Sequence, residues 1–383
     1  MACAFPIPES TMPENKTEEV FLNLGPQHPG ILGTLRLELH TNGEFVLKVI
    51  PHIGYLHRCF EKHAENLEYT KIIPFTDRMD YLSSINNNWG YVLAVEKLLG
   101  IEIPERVEYI RIIMAELNRI SSHLSALGHY SLSIGDSITF THAFKERGKI
   151  ISLFEEICGV RLLYNYICVG GVSYDFTSDF IRKIKKFCNY LLPKIIKYRD
   201  LLSFNHIFIK RTANIGILSS DSAISYSVTG PNLRASGIPF DVRRNDPYSL
   251  YNRFNFEIPV GKGTMGTVGD CWDRYMVRIS EIEQSIGIIQ QALSDIPSGD
   301  IRMALPMPLS PRIGEVYIRT ESPRGELGYY IISDGGVIPV RVKVRTPSFC
   351  TLNVLNEIAC GSMIADLTTI LASLDIMPAE VDR

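Results

Sequence analysis

Apolar and polar residues alternate near both ends of the chain, which predicts two small antiparallel sheets. Within residues 20–50, RLELHTNGEFVLKV alternates around Asn42-Gly43, a pair typical of two-residue hairpin turns. GYYIISDGGVIPVRVKVR alternates in the same way, and Asp334-Gly335-Gly336 supplies its turn. Residues 1–18 precede the first pattern and are expected to form an extended arm.

Between the two sheets, apolar residues recur at three- and four-residue steps, which predicts long helices. One helix begins near Pro104 and is expected to end before Gly128. A second begins at an Asp136 cap and stops near Gly159, and a third covers 177–202 with a kink at Pro193. A fourth covers 270–293, and residues 354–374 are predicted as one final helix. GPNLRASGIPFDVRRNDPYSLY is rich in turn residues and is expected to be irregular.

These elements predict an α+β fold that is mainly α, with a helical-bundle core and small antiparallel sheets near the N- and C-terminal ends. We divide the chain into four regions. They are the arm (1–18), an N-terminal β region that carries the loop NLGPQHPGILG (19–64), the helical core (65–300), and a C-terminal β region whose terminal helix returns towards the loop (301–383).

Composition excludes several classes of function. With 45% apolar and 21% charged residues, 383 residues can bury a substantial core. Lys+Arg 39 against Asp+Glu 42, with no basic helix apparent, argues against nucleic acid as a partner. No apolar run approaches the roughly 18 residues of a membrane span. None of the 8 cysteines has C-x-x-C spacing, which argues against a structural zinc site and favours free buried thiols in a reducing compartment. The first twenty residues resemble neither a secretory signal nor a transit peptide.

Four polar stretches could carry chemistry: GPQHPG, IGYLHRCFEKHAEN, PFTDRMDYLSSINNNWGY and the terminal EVDR. The first holds His28 between prolines, where a ligand contact and a hydrogen-bonded structural histidine are both possible. The second contains His57 and His63, whose i, i+6 spacing places them on different helix faces and disfavours a metal site. In the third, helix capping and an ion pair between Asp77 and Arg78 would account for these two residues. They would not account for Tyr81, because a half-buried phenol needs a partner.

Taken together, NLGPQHP, IGYLHR-x-x-EK-x-x-EN, FTDRMDY, GPNLRASG and EVDR resemble the quinone-proximal large subunit of respiratory complex I, the NuoD type, from about residue 21 to residue 383. That family is similar to the large subunit of [NiFe] hydrogenases, so the resemblance implies a hydrogenase-like fold. The four metal-binding cysteines of hydrogenases fall here on Asp80, Ser83, Met377 and Glu380. A low-spin nickel–iron centre requires thiolate donors, so we expect neither bound metal nor hydrogenase activity.

The resemblance implies a peripheral-arm core subunit of an energy-converting NADH:quinone oxidoreductase. In this interpretation the vacated metal cavity accepts a quinone headgroup, next to the terminal [4Fe-4S] cluster of a neighbouring small subunit. Electron transfer to quinone would be coupled to proton translocation through membrane subunits. Tyr81 would be the catalytic phenol, hydrogen bonding one quinone carbonyl. His28 would form the lip of the pocket, Met377 would line it, and Arg58 would lie beside the cluster and raise its potential.

The same resemblance implies partners and cofactors. The expected partners are a NuoB-type cluster-bearing subunit, a NuoC-type subunit and a NuoH-type membrane subunit. This chain by itself would bind no cofactor, quinone would be a substrate, and NADH and FMN would bind elsewhere in the complex. The assembly would lie peripherally, on the cytoplasmic face of a bacterial inner membrane or the matrix face of the mitochondrial inner membrane.

Four positions depart from the family pattern. A second loop histidine and the aspartate that pairs with it are replaced by Leu32 and Ser133, so both members of one ion pair are missing together. The resemblance places Leu32 and Ser133 in the quinone pocket. On the cluster side, a histidine and an arginine are replaced by Leu163 and Cys168. Two interpretations remain open. In the first, Tyr81 is the only headgroup partner in quinone reduction, and protons come from water or another side chain. The acceptor is then a low-potential quinone such as menaquinone. Alternatively, the acceptor differs or the subunit is mainly a scaffold.

Overall fold

The computed structural model describes residues 19–28 and 33–383, and the predicted arm and Leu32 lie outside these ranges. A three-stranded antiparallel sheet opens the described part, with strands β1 (Val20–Leu24), β2 (Arg36–Asn42) and β3 (Phe45–His52) in the order β1-β2-β3. Asn42 pairs with Phe45 across the turn, which confirms the predicted hairpin. The alternating pattern buries Leu37, Leu39 and Val46 on one face.

Helices then dominate, and the four long helices predicted from periodicity are confirmed. The helices up to the C-terminal sheet are α1 (Phe60–Ala64), α2 (Tyr69–Thr76), α3 (Ser84–Leu99), α4 (Glu105–Ser133), α5 (Ser137–Cys158), α6 (Ser178–Ser203), α7 (His206–Thr212), α8 (Ser220–Ser225), α9 (Pro231–Ala235), α10 (Val242–Asn245) and α11 (Cys271–Asp295). Two short strands, β4 (Ile167–Cys168) and β5 (Gly171–Val172), pair between α5 and α6. The stretch GPNLRASGIPFDVRRNDPYSLY was expected to be irregular, but it contains the two short helices α9 and α10.

Side-chain caps begin the long helices where the sequence places them. Asp136 accepts the backbone N–H groups of Ile138 and Thr139 at the start of α5, as predicted. Asp270 accepts the N–H of Asp273 at the start of α11. Each carboxylate satisfies N–H groups that have no partner within the first helical turn and lies at the positive end of the helix dipole.

The predicted end of α4 at Gly128 is wrong, because the helix continues for five residues. Gly128 serves packing instead. A Cβ atom at this position would lie 2.8 Å from Cε2 of Phe144 in α5. The missing side chain therefore lets α4 and α5 approach each other closely, and α4 continues unbroken to Ser133.

The C-terminal sheet has one strand more than the hairpin predicted. Its strands are β6 (Gly314–Ser322), β7 (Gly325–Ser333) and β8 (Arg341–Arg345), antiparallel in the order β6-β7-β8. Helix α3 packs against both β6 and β7 on one side and against α4 on another, which places the start of α3 in the middle of the molecule.

The single helix predicted over 354–374 is also wrong. The chain forms α12 (Pro347–Asn353), α13 (Leu355–Ala359), α14 (Ile364–Leu374) and α15 (Pro378–Asp382). Between α13 and α14, the N–H of Gly361 donates to the carbonyl of Val46, 2.8 Å away, and the Val46 N–H donates to the carbonyl of Ser362. Because these groups pair with strand β3, they cannot continue the helical hydrogen-bond ladder.

Two expectations drawn from composition need correction. Helix α6 is basic, with seven Lys or Arg residues against two Asp or Glu, although no basic helix was expected. The cysteines of the described ranges are free, and Cys188 and Cys271 are buried, but Cys59 and Cys360 are exposed. Among the described residues, no helix combines the length and the apolar character that crossing a bilayer requires.

Candidate functional site

The turn that carries Tyr81 joins α2 to α3 and is fixed by side-chain hydrogen bonds. Oδ1 of Asp80 accepts the backbone N–H of Leu82 at 3.1 Å, and the Ser83 hydroxyl donates to the other oxygen of Asp80. Asn118 of α4 donates to the carbonyl of Leu82 at 3.1 Å and accepts the N–H of Ile85 at 3.2 Å. The turn is thereby held from both sides, by its own carboxylate and by the neighbouring helix.

Tyr81 is half-buried, and its ring packs in a small apolar cluster with Leu56, Leu82, Met377 and Ala379. Within residues 19–28 and 33–383 its hydroxyl has no hydrogen-bond partner. Burial raises the pKa of Tyr81 above its ordinary value, and the negative charge of Asp80 acts in the same direction. At neutral pH the phenol is therefore protonated and can donate.

A buried arginine, Arg324, connects this turn to the C-terminal segment. Its Nη1 group donates to Oδ2 of Asp80. Its Nε group donates to the carbonyl of Asp375 at 3.0 Å, and its Nη2 group donates to Oδ1 of the same residue at 3.2 Å. Since the guanidinium is buried, these contacts replace the water it has lost.

Glu380 completes this charged cluster. Ser348 donates its hydroxyl to Oε2 of Glu380, while Oε1 is buried with no hydrogen-bond partner among the described residues. Burial, together with the nearby negative charge of Asp80, raises the pKa of Glu380 to about 8. A protonated Glu380 at neutral pH removes one negative charge from a site that already contains Asp80 and Asp375.

The four positions of the lost hydrogenase ligands do not line an open cavity in this chain, contrary to the expectation from sequence. Asp80, Ser83 and Met377 are 0% exposed and Glu380 is 1% exposed. Their polar groups are hydrogen-bonded within the protein, Asp80 to Ser83 and Arg324, and Glu380 to Ser348, so these positions are enclosed by side chains. In the described ranges, no group of three or more His, Cys, Asp or Glu side chains is arranged to hold a metal ion.

The loop that contains His28 begins and ends beside the terminal segment that contacts Tyr81. Gln27 and Thr34 pair as an isolated bridge, which closes the base of this loop. A Cβ atom at Gly33 would lie 3.4 Å from the ring of Pro378, the residue after Met377. His28 is half-buried next to the bridge. The structure thus brings the base of the predicted lip, Met377 and Tyr81 into one region.

Arg58 lies on the surface beside the same turn. Its Nη2 group donates to the carbonyl of Arg78 at 2.5 Å, and its backbone N–H donates to the carbonyl of Arg383. The terminal residues hold this segment, because Asp382 accepts the N–H groups of Gly54 and Leu56, both at 2.8 Å. A cleft of about 420 Å³ lies alongside, lined in part by Gly54, Asp382 and Arg383, and Tyr81 is not among its lining residues.

The segment that contains Leu163 and Cys168 is anchored to the core by a buried ion pair. Arg111 of α4 binds Glu96 of α3 through two hydrogen bonds, of 2.9 and 2.7 Å. Arg111 also donates to the carbonyls of Cys168 and Gly171, and Glu96 accepts the N–H of Gly170 at 2.8 Å. This pair therefore fixes strands β4 and β5 against the helices.

Asp77, at the start of the Tyr81 turn, is a buried carboxylate. The ion pair with Arg78 that helix capping predicted does not form. Asn88 and the backbone N–H of Asn165 face the carboxylate, but neither oxygen has a hydrogen bond among the described residues. Arg78 instead donates to the carbonyl of Pro74. Burial raises the pKa of Asp77 to about 7.

Ser133 lies away from the residues that contact the Tyr81 turn. It is the last residue of α4, and its hydroxyl donates to the carbonyl of Tyr130 at 2.7 Å. Helix α4 reaches the charged cluster at Ser122, 3.5 Å from Arg324. Eleven further residues place Ser133 roughly 16 Å along the helix axis. Its assignment to the quinone pocket remains a prediction.

Sequence reasoning missed Arg324 and Ser348 and gave Asp375 no role. Arg324 occupies the turn between β6 and β7, where an arginine next to proline and glycine usually indicates an exposed loop. The structure shows why this loop is not exposed: Gly325 has a left-handed backbone (φ +137°) that lies against Thr229 and Gly230, which the sequence does not reveal. A glycine in such close contact indicates a buried turn, and a buried turn makes its charged neighbour a candidate for a site.

Comparisons with known proteins give one consistent result over nearly all of the chain. The family model described as respiratory-chain NADH dehydrogenase, 49 Kd subunit, matches residues 133–313 and 306–383. The D subunit of the NADH-quinone oxidoreductase of Chlorobium luteolum is 49% identical over 371 residues, which cover 96% of this chain and 94% of that protein. Its counterpart in Chlorobaculum tepidum is 50% identical over 371 residues, covering 96% and 93%. The D 1 subunit of Cytophaga hutchinsonii is 50% identical over 378 residues, covering 96% of both.

Proposed function

The chain belongs to the family of the respiratory-chain NADH dehydrogenase 49 kDa subunit, and on this premise we propose that it reduces quinone at Tyr81. It is an oxidoreductase subunit of complex I and a core part of that multi-subunit, membrane-associated assembly. Four finer points are proposed in addition: the quinone site, the neighbouring cluster, the partners and the coupling.

One observation carries the proposal: the Tyr81 hydroxyl is half-buried and has no partner within the described chain. A phenol in such a position normally finds an acceptor. A quinone carbonyl is a suitable acceptor, because its oxygen becomes more basic as electrons arrive. Reduction to the hydroquinone consumes two electrons, from a [4Fe-4S] cluster in the neighbouring small subunit, and two protons. Tyr81 donates a hydrogen bond to the oxygen that gains charge and passes on a proton.

The surroundings of Tyr81 support the same assignment. Gly33, at the end of the loop that contains His28, lies against Pro378 and borders the apolar cluster in which Tyr81 packs. Because the lost-ligand positions are buried, we place the headgroup outside them, against Tyr81 and next to this loop. Met377, which is fully buried, would support the Tyr81 ring from behind and would not itself be a lining residue.

We place the cluster-bearing, NuoB-type subunit against Arg58 and the segment that contains Leu163 and Cys168. Arg58 is exposed and would supply a fixed positive charge there. Leu163 and Cys168 stand where related proteins are expected to carry cations, and fewer cations lower a cluster's reduction potential. A redox titration of the terminal cluster should therefore give a low potential that matches a quinone of the menaquinone type. A potential typical of ubiquinone-reducing enzymes would contradict this part.

The remaining partners follow from the same assignment. A NuoC-type subunit and a NuoH-type membrane subunit complete the surroundings, in the peripheral arm on the cytoplasmic face of a bacterial inner membrane or the matrix face of a mitochondrial one. NADH and FMN bind in other subunits, and quinone reduction drives proton translocation by conformational and electrostatic change in the membrane subunits.

The test is Tyr81→Phe in the assembled complex, with Tyr330→Phe as the matched control. Tyr330 is a tyrosine of β7 that bonds Glu315 and is not part of the apolar cluster in which Tyr81 packs. Quinone reductase turnover should fall about 10²- to 10⁴-fold in Tyr81→Phe, which is the usual contribution of a proton-transferring side chain. It should stay unchanged in Tyr330→Phe. Electron transfer from NADH to ferricyanide should be normal in both variants. An intact Tyr81→Phe complex with full quinone turnover would refute the assignment and favour a scaffold role.

A further inference from the structure

Arg324 is a fully enclosed cation whose side chain lies between two segments that are remote in sequence. It is 3% exposed and projects from the turn between β6 and β7. On one side it meets the turn that precedes α3, and on the other it meets the residues that follow α14. Neither segment has a regular hydrogen-bond ladder to the other, so their relative position depends on side chains.

The contacts of Arg324 connect directly to the surroundings of Tyr81. Asp80, which accepts its Nη1 group, immediately precedes Tyr81 in the chain. Asp375, which accepts its Nε and Nη2 groups, stands two residues before Met377. Met377 packs in the same apolar cluster as the Tyr81 ring. One guanidinium therefore holds both the backbone that carries Tyr81 and the segment against which Tyr81 packs.

The chemistry of this contact requires arginine. A planar guanidinium has five donors in a fixed fork, and three of its nitrogens are used here in two directions. A lysine ammonium is a single point charge on a flexible stem, and it cannot keep both carboxylates at these positions at once.

The buried Arg234 serves a separate part of the core. Arg234 is also fully buried, and it bonds Glu281, Glu321 and the carbonyl of Phe240. None of these partners belongs to the Tyr81 turn or to the terminal segment. Arg234 thus has the same burial and the same type of partner as Arg324, and it provides a control for the general cost of disturbing a buried arginine.

We propose that Arg324 is the positioning residue of the quinone site and holds the Tyr81 hydroxyl within hydrogen-bonding distance of the quinone carbonyl. This inference rests on the proposed function of Tyr81. Arg324 does not touch the quinone. It acts through Asp80 and Asp375, and a misplacement of the hydroxyl by about 1 Å is sufficient to reduce turnover roughly 10²-fold.

The experiment is a double-mutant cycle in the assembled complex, read as kcat and KM for a short-chain quinone. Arg324→Lys and Asp80→Asn are each measured alone and combined with Tyr81→Phe, and Arg234→Lys is the control. We expect each single variant to lower kcat about 10- to 100-fold, with ferricyanide reduction and subunit content retained. Combined with Tyr81→Phe, neither should lower kcat more than about twofold further, because a group that acts only through Tyr81 has nothing left to position.

Three results would overturn the inference while leaving the role of Tyr81 in place. These are normal turnover in Arg324→Lys or Asp80→Asn, losses that multiply with that of Tyr81→Phe, and an equal loss of turnover in Arg234→Lys. If Arg324→Lys fails to assemble, Asp375→Asn decides the question, since it keeps the side-chain size and its one side-chain hydrogen bond among the described residues is the one from Arg324. If Tyr81→Phe by itself leaves quinone turnover unchanged, the proposed function is wrong and the positioning role of Arg324 is wrong with it.

Discussion

Replacing Arg111 with methionine should strongly destabilise the chain, because it leaves Glu96 as a buried carboxylate without its counter-ion. Arg111 is 0% exposed at its side chain and Glu96 is 4% exposed, so neither charge is compensated by water. Breaking one member of such a pair costs roughly 3–5 kcal/mol of unfolding free energy. The segment that contains Cys168 should also loosen, since two of its carbonyls lose their donor.

The double variant Arg111→Met/Glu96→Met isolates the charge effect. It removes both ions together, and what remains is the loss of three hydrogen bonds to the β4–β5 segment. At about 1 kcal/mol each, these bonds account for about 3 kcal/mol, and two of the three are already lost in Arg111→Met. The double variant should therefore be more stable than Arg111→Met, despite carrying one change more.

Urea unfolding of the purified chain, followed by circular dichroism, measures these differences directly. Arg253→Met serves as the control, because Arg253 and Glu105 form an exposed pair and its loss should change stability by less than about 1 kcal/mol. A cost below about 1 kcal/mol for Arg111→Met, or a double variant no more stable than the single one, would refute the reasoning.

Three further predictions concern other parts of the molecule. Asp77 releases its proton near its usual pKa when unfolded but only near pH 7 when folded, so the native state binds more protons between about pH 4 and 7 and stability falls over that range. Between pH 5 and pH 8 the fall is about 2.5 kcal/mol, and it should be absent from the stabilities of Asp77→Asn measured by urea unfolding at these two pH values. Gly128→Ala should be less stable than Gly148→Ala by about 1–2 kcal/mol in thermal unfolding, because a Cβ at 128 meets Phe144 whereas one at 148 meets nothing within 4 Å; equal stabilities would contradict the packing role. Asp382→Ala should lower the unfolding free energy by about 1–3 kcal/mol, because the N–H groups of Gly54 and Leu56 lose their acceptor. The loosened segment before Arg58 should also bind the cluster-bearing subunit more weakly, and unchanged co-purification of that subunit would argue against the contact.

Local patterns determine much of the fold. The Asn42-Gly43 pair, the Asp136 cap and the periodic apolar positions of α4, α5, α6 and α11 are signals that act within a few residues. Each predicts that its element exists, although the hairpin turn lies at Gly43-Glu44 and α4 ends later than predicted. The errors arise where distant parts of the chain compete with local preference. Gly128 is a packing glycine whose partner lies on another helix, and Gly361 bonds to β3, which is remote in sequence.

The candidate site divides in the same way. Tyr81 stands out because one short motif contains both the phenol and the aspartate that precedes it. Arg324 could not be identified, because its importance depends on burial and on contacts with Asp80 and Asp375, which are 244 and 51 residues away in sequence. The burial of the four lost-ligand positions could not be predicted either, since a sequence gives side-chain identities but not which of them solvent can reach.

The most direct measurement is a structure of the assembled complex with a quinone or a quinone-site inhibitor bound. The proposal predicts a headgroup oxygen within about 3 Å of the Tyr81 hydroxyl, with His28 and Gly33 at its border and the Asp80–Arg324–Asp375 contacts intact. A headgroup bound elsewhere, with the Tyr81 hydroxyl satisfied by a neighbouring subunit, would contradict it.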